Sequence, residues 1–183
     1  MSEQNSGRVP PHPARSYWVV PGRFLVGGHP CGVSGSKRLL EFLSAGIDTF
    51  ISLQPAGERG KADYSRALYR AAATLHRRVH FLRRPIPDSD VCSPQKMSAI
   101  LNTIDRRLAA GHNIYLHCWA GLGRTGLVVG CWLVHHGMSG KAALRRLEIL
   151  RRHDEELRNW SSPLTPQQWD MVRRWQSLER SRT

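Results

Sequence analysis

A chain of 183 residues with 27 Lys plus Arg against 14 Asp plus Glu, a formal charge of +13, has room for one buried core and reads as a single domain. Its hydrophobic content of 40% is spread over short runs, none near the roughly 20 residues a bilayer crossing needs, so a soluble chain without a membrane span is expected. Four cysteines (Cys31, Cys92, Cys118, Cys131) form no CxxC pair and no Cys/His ladder at zinc spacing, which argues against a structural metal or a disulfide scaffold and for a reducing, cytoplasmic setting.

Residues 1–16 are rich in Pro, Ser and charge, with Glu3 near the start and no apolar h-region, and are expected to be a disordered tail rather than a secretory signal. The folded domain is expected over 17–179, with a basic tail at 180–183. From Tyr17 to Gly28 the sequence predicts two short strands broken at Pro21-Gly22. Leu39, Leu40 and Leu43 have helical spacing that stops at Gly46, and TFISL from Thr49 is composed like a buried strand. Pro55 to Gly60 reads as a loop, Asp63 to Leu75 as a helix, and Val79 to Ile86 as a strand. The next helix has Ser93 as N-cap, Pro94 in its first turn, and Met97, Ile100, Leu101, Ile104 and Leu108 on one face until Gly111. NIYLH, Asn113 to His117, predicts a central strand, and Leu127 to Val134, apolar on every side, a buried central helix. Two more helices are expected, Lys141 to Arg152 and Thr165 to Leu178. Strands alternating with helices give an α/β domain, a mostly parallel twisted sheet flanked by helices.

The chemistry concentrates between that central strand and helix. Cys-x5-Arg alone decides little, because four cysteines among 23 arginines would produce about half a match by chance. The context is more telling: Cys118-Trp119-Ala120-Gly121-Leu122-Gly123-Arg124-Thr125-Gly126 leaves a buried strand and opens a buried helix. Gly121 and Gly123 let the backbone curl so that N–H groups point inward, and the helix adds its positive end, which makes an anion cradle. Those donors and Arg124 favour a thiolate on Cys118, a nucleophile. The planar fork of Arg124 can hold two phosphoryl oxygens, and the Thr125 hydroxyl can donate to the sulfur. His117 is placed to brace the loop. A proton donor is also required, and PIPDSDV, Pro85 to Val91, offers Asp88 first and Asp90 as the alternative. The same acid would activate water in the second step.

HCWAGLGRTG, His117 to Gly126, resembles the HCxxGxxR[ST] signature of cysteine-based protein tyrosine phosphatases, and with PIPD upstream it is most similar to their compact dual-specificity branch, bacterial-type members in particular. The resemblance runs from about Trp18 to Trp175. It implies a protein phosphatase with Cys118 as nucleophile, Arg124 as phosphate clamp, Thr125 assisting the sulfur, Asp88 as general acid, and residues 119–124 (Trp119, Ala120, Gly121, Leu122, Gly123, Arg124) around the phosphate. It also implies no cofactor and no metal. Members that use phosphoinositides tend to carry lysines inside the loop, where this chain has Trp119 and Leu122. SPLTPQQ, Ser162 to Gln168, resembles a late loop in which Gln168 would help position water.

Rival readings weaken on context. Gly121 to Gly126 also fits GxGxxG, but no acidic residue follows about 20 positions on, and Leu127 stands where a nucleotide-hydrolase loop needs Lys. A phosphatase of a non-protein substrate, such as an RNA 5′-triphosphate or inositol phosphate, is the alternative, followed by a phospho-binding module without turnover. His112, His135 and His136 have no third ligand spaced to join them. The pairs Arg83-Arg84, Arg106-Arg107, Arg151-Arg152 and Arg173-Arg174 read as solvated faces, with recruitment of an acidic or phosphorylated partner as the functional reading. A nucleic-acid partner is not expected.

Overall fold

The computed structural model describes residues 10–31, 37–58 and 63–180. Five strands, β1 (Ser16–Val20), β2 (Phe24–Gly27), β3 (Thr49–Ser52), β4 (His80–Arg83) and β5 (Ile114–His117), form one sheet in the order β1-β2-β5-β3-β4. The β1–β2 hairpin is antiparallel, turning at Gly22 with φ +70, and the other neighbours are parallel. Six helices, α1 (Lys37–Ser44), α2 (Ser65–Thr74), α3 (Pro94–Ala109), α4 (Gly123–His135), α5 (Gly140–Arg151) and α6 (Pro166–Arg180), cover its faces.

The alternation of strand side chains decides which helix lies on which face. Leu25, Phe50 and Tyr115 point to one side, where α1 and α2 bury Leu39, Phe42, Leu43 and Leu68. Val26, Ile51, Ile114 and Leu116 point to the other, against α3 to α6. Helix α4 is buried along nearly its whole length, as its apolar run from Leu127 to Val134 requires. It lies so close to α6 that a Cβ on Gly130 would stand 2.7 Å from Val172.

β5 is the central strand, and one row of register, Gly27–His117–Ser52–Arg83, closes the carboxyl ends of all four parallel strands together. Everything that follows these residues is delivered to one edge of the sheet, where ligand sites of open α/β sheets form.

Two expectations change. The tail was placed over 1–16, but from Pro10 onward the chain is laid against the domain. The Trp18 indole donates to Pro10 O at 2.8 Å, the Ser16 hydroxyl to Pro13 O at 2.5 Å, and the Ser16 N–H to Asp154 Oδ2 at 3.1 Å. Residues 1–9 and 181–183 lie outside the described residues, while Arg180, expected to open the basic tail, ends α6. Second, Arg151 is buried rather than solvated, its guanidinium donating to the carbonyls of Leu157 and Trp160. It closes the loop after α5. Among the described residues no helix is long and apolar enough to cross a membrane.

Candidate active site

The cradle starts one residue past β5. Cys118 is 3% exposed, and two donors face its sulfur: the Gly121 N–H at 3.3 Å and the Thr125 hydroxyl at 3.1 Å. The Thr125 oxygen is also 3.2 Å from Gly27 O. A hydroxyl carries one hydrogen, so it can donate to the carbonyl while accepting from the thiol, or turn that hydrogen to the thiolate. It is thus built to follow the charge of the sulfur.

Backbone geometry dictates the glycines. Gly121 has φ +82, and a Cβ there would stand 2.5 Å from the Gly27 carbonyl carbon and 2.6 Å from Gly28 N. Only a residue without a side chain lets the loop rest on the end of β2. The His29 N–H donates to Trp119 O at 2.9 Å, and the Ser162 hydroxyl to Leu122 O at 2.8 Å, so the loop is gripped from both sides. Trp119 and Ala120 are half-buried, whereas Gly121, Leu122, Gly123 and Arg124 are buried.

Two other helix starts are sealed by serines: Ser93 accepts from Lys96 N, and Ser139 from Ala142 N. The start of α4 has Leu122 at the N-cap and no side-chain cap. Its first N–H groups are left for an anion.

Arg124, only 2% exposed, meets Glu58 in a fork, NH1 to Oε2 at 2.5 Å and NH2 to Oε1 at 2.8 Å. NH1 also donates to Ile86 O at 3.3 Å, and NH2 pairs with Asp88 Oδ1 at 3.0 Å. Burial opposes the charge on Arg124, but Glu58, Cys118 and Asp88 together raise its pKa above the ordinary value. Glu58 fixes the plane of the guanidinium, leaving the Nε–H and the NH2 hydrogen now on Asp88 for a phosphoryl group.

The two candidate acids separate. The Asp88 carboxylate reaches the clamp, with its side chain 47% exposed, on a turn where Ser89 takes φ +59. Asp90 accepts from its neighbour's N–H, Val91, at 2.7 Å, and its carbonyl accepts from Gln168 Nε2 at 3.0 Å. Asp90 therefore closes the turn and anchors the acid loop. Gln168 is fully buried, with Oε1 accepting from Leu164 N and Thr165 N. It ties the acid loop to the loop before α6 and packs against Gly123, whose Cβ would lie 3.2 Å from Oε1. These contacts make it a strut between the two loops.

His117 is wholly buried. Its Nδ1 lies 3.0 Å from Cys118 O, so Nδ1–H donates there, and Nε2 accepts the Tyr64 hydroxyl at 2.7 Å. Burial first, then neighbouring His29, holds its pKa down to about 3, and the ring is neutral. His117 thus ties the start of the loop to the start of α2. Its partner Tyr64, at the N-cap of α2, went unnoticed in the sequence, as did Glu58 and Ser162. Glu58 had one available signal: an acid in the loop after a parallel strand, on the side where sites gather.

Residues 13–173 match the family described as Swiss Army Knife protein, DSP-PTPase phosphatase domain. The chain belongs to this phosphatase family. As a dual-specificity-type cysteine phosphatase domain, it is 32% identical over 125 residues, 65% of its length, to mouse protein tyrosine phosphatase domain-containing protein 1. It is 27% identical over 175 residues, 88% of its length, to mouse dual specificity protein phosphatase CDC14B. The phosphatase chain spans 17% and 31% of the length of these curated relatives. The crystal structure of Tk-PTP in its active form superposes with a TM-score of 0.68 over 91% of this chain and 97% of that one, at 24% identity, a likeness of fold.

Away from the cradle, the fold corrects one expectation about histidines. His135 and His136 lacked a third partner in sequence, yet Asp105 of α3 meets both, while His112 pairs separately with Asp48.

Proposed function

We propose that this protein hydrolyses phosphate monoesters of protein side chains through a phosphocysteine on Cys118. The observation that carries the reading is the sulfur itself, held between Gly121 N–H and the Thr125 hydroxyl, with Arg124 fixed by Glu58 and Asp88 alongside. Substrate phosphate would displace Asp88 from Arg124 and occupy the uncapped start of α4. The Cys118 thiolate attacks phosphorus as the P–O bond to the leaving group breaks, and Asp88 donates its proton to that oxygen. Water then attacks phosphorus, Asp88 takes the water's proton, and the P–S bond breaks with its electron pair returning to sulfur. The Thr125 hydroxyl stabilises the departing thiolate. Each step uses side chains of the chain alone.

The cradle supports protein over polyphosphorylated head groups, because Arg124 is its only cation between residues 118 and 126; Trp119, Ala120 and Leu122 offer no second counter-charge. An exposed arginine beyond the end of α5, Arg152, would favour acidic sequence around the phosphorylated residue. A cytoplasmic setting fits four free cysteines, one of them the nucleophile. Cys118→Ser tests the reading: turnover of an aryl phosphate should fall to background while vanadate still binds. Unchanged turnover would overturn it. A panel of phosphopeptides, nucleotides, inositides and triphosphorylated RNA at matched salt decides the substrate class.

A further inference from the structure

At the far end of α4 from the cradle, Asp105, His135 and His136 bring three ligand atoms within 4.8 Å of one another. We propose that these residues form a binding site for a divalent transition-metal ion of the zinc class, joining α3 to the end of α4.

The spacing suits a metal. The Asp105 carboxylate places Oδ2 at 3.4 Å from His135 Nε2 and Oδ1 at 3.1 Å from His136 Nε2. Ligands about 2.0–2.2 Å from a tetrahedral zinc stand roughly 3.3–3.6 Å apart. One carboxylate therefore already sits at near-coordination distance from two imidazoles.

The outer contacts prepare the ligands. His135 Nδ1 lies 2.6 Å from Glu179 Oε1 on α6, so Nδ1–H donates there and Nε2 carries the lone pair toward Asp105. A carboxylate orienting the distal nitrogen of a ligating histidine is the usual support of a zinc site. The Trp132 indole donates to Asp105 Oδ1 at 2.8 Å and fixes the carboxylate from the other side. Two imidazole lone pairs facing a carboxylate need a cation between them.

Accessibility is adequate for exchange with solvent. The side chains of Asp105, His135 and His136 are 29, 31 and 47% exposed, so the ion can enter without opening the core, and water completes the fourth position. Twelve residues of helix separate His135 from Gly123, about 18 Å along the axis. The ion is thus a clasp on the scaffold, outside the hydrolytic steps.

The test uses the full chain without a histidine tag, carrying Cys118→Ser so that the active-site thiol cannot take the metal. After chelator treatment, isothermal titration with zinc chloride should show one site. H135Q/H136Q should abolish it, and D105N should weaken it. E179Q, which touches no metal, should lower affinity about 10- to 100-fold. Zinc at 100 times Kd should raise the melting temperature by about 5–10 °C in the parent and not in H135Q/H136Q. Cobalt substitution should give the visible bands of a tetrahedral ion. Unaltered stoichiometry and affinity in H135Q/H136Q, with its melting temperature in chelator equal to the parent's, would overturn the proposal. So would the absence of zinc binding in the parent.

Discussion

Replacing His117 by Gln should flatten the acid side of the stability profile. The ring is buried, gives Nδ1–H to Cys118 O and takes the Tyr64 hydroxyl on Nε2, with its pKa held from 6.5 to about 3. Below pH 6.5 the unfolded chain binds a proton that the folded chain refuses. This contribution to stability is present above pH 6.5 and is lost as pH falls toward 3. At about 1.4 kcal/mol per pH unit the whole difference is on the order of 5 kcal/mol, of which about 2 kcal/mol is gone at pH 5. For a chain of this size that lowers the melting temperature by about 4–8 °C. Urea unfolding at pH 7 and pH 5 measures it. Wild type should lose about 2 kcal/mol more than His117→Gln over that interval, while His80, whose pKa is also lowered, contributes equally to both proteins. Parallel losses in the two would refute a neutral, buried brace beneath the nucleophile.

Asp88→Asn should slow turnover of alkyl phosphates by about 10²- to 10⁴-fold and of p-nitrophenyl phosphate much less, because a good leaving group needs no proton. Asp90→Asn should cost far less, since that side chain caps a turn; steady-state rates with both substrates rank the two. Thr125→Val should leave the first step intact and slow phosphoenzyme breakdown about 10- to 100-fold, the worth of one hydrogen bond to a charged sulfur. Rapid mixing should then show a product burst equal to the enzyme concentration. Gly121→Ala should cost about 100-fold in kcat/KM, because its Cβ at 2.5 Å from the Gly27 carbonyl carbon forces the loop to move by about 1 Å. Circular dichroism should still show a folded domain.

Local patterns were legible wherever a segment carried its own signal. Ser93 and Pro94 predict the start of α3 because a cap and a fixed φ act within one turn. The apolar run from Leu127 predicts a buried α4, since no neighbour could make such a surface favourable in water. The loop from Cys118 to Arg124 could be read for the same reason: its glycines, its thiol and its arginine are contiguous, and their chemistry depends on local backbone.

What the sequence could not order was anything assembled across the sheet edge. Asp88 and Asp90 are two residues apart and chemically alike; only the Ser89 turn, which aims one carboxylate at Arg124 and folds the other onto Val91, separates them. Glu58 and Tyr64 stand 66 and 53 residues from their partners Arg124 and His117. Asp105 meets His135 and His136 only because α3 packs beside α4. The sequence by itself determined the glycine-rich loop that joins Cys118 to Arg124 and the alternation of strands and helices, because each is encoded in neighbouring residues. Tertiary structure alone decided which aspartate reaches Arg124, what holds the arginine flat and where the histidines meet Asp105. Those contacts exist only once parallel strands bring their carboxyl ends into one row and helices pack face to face.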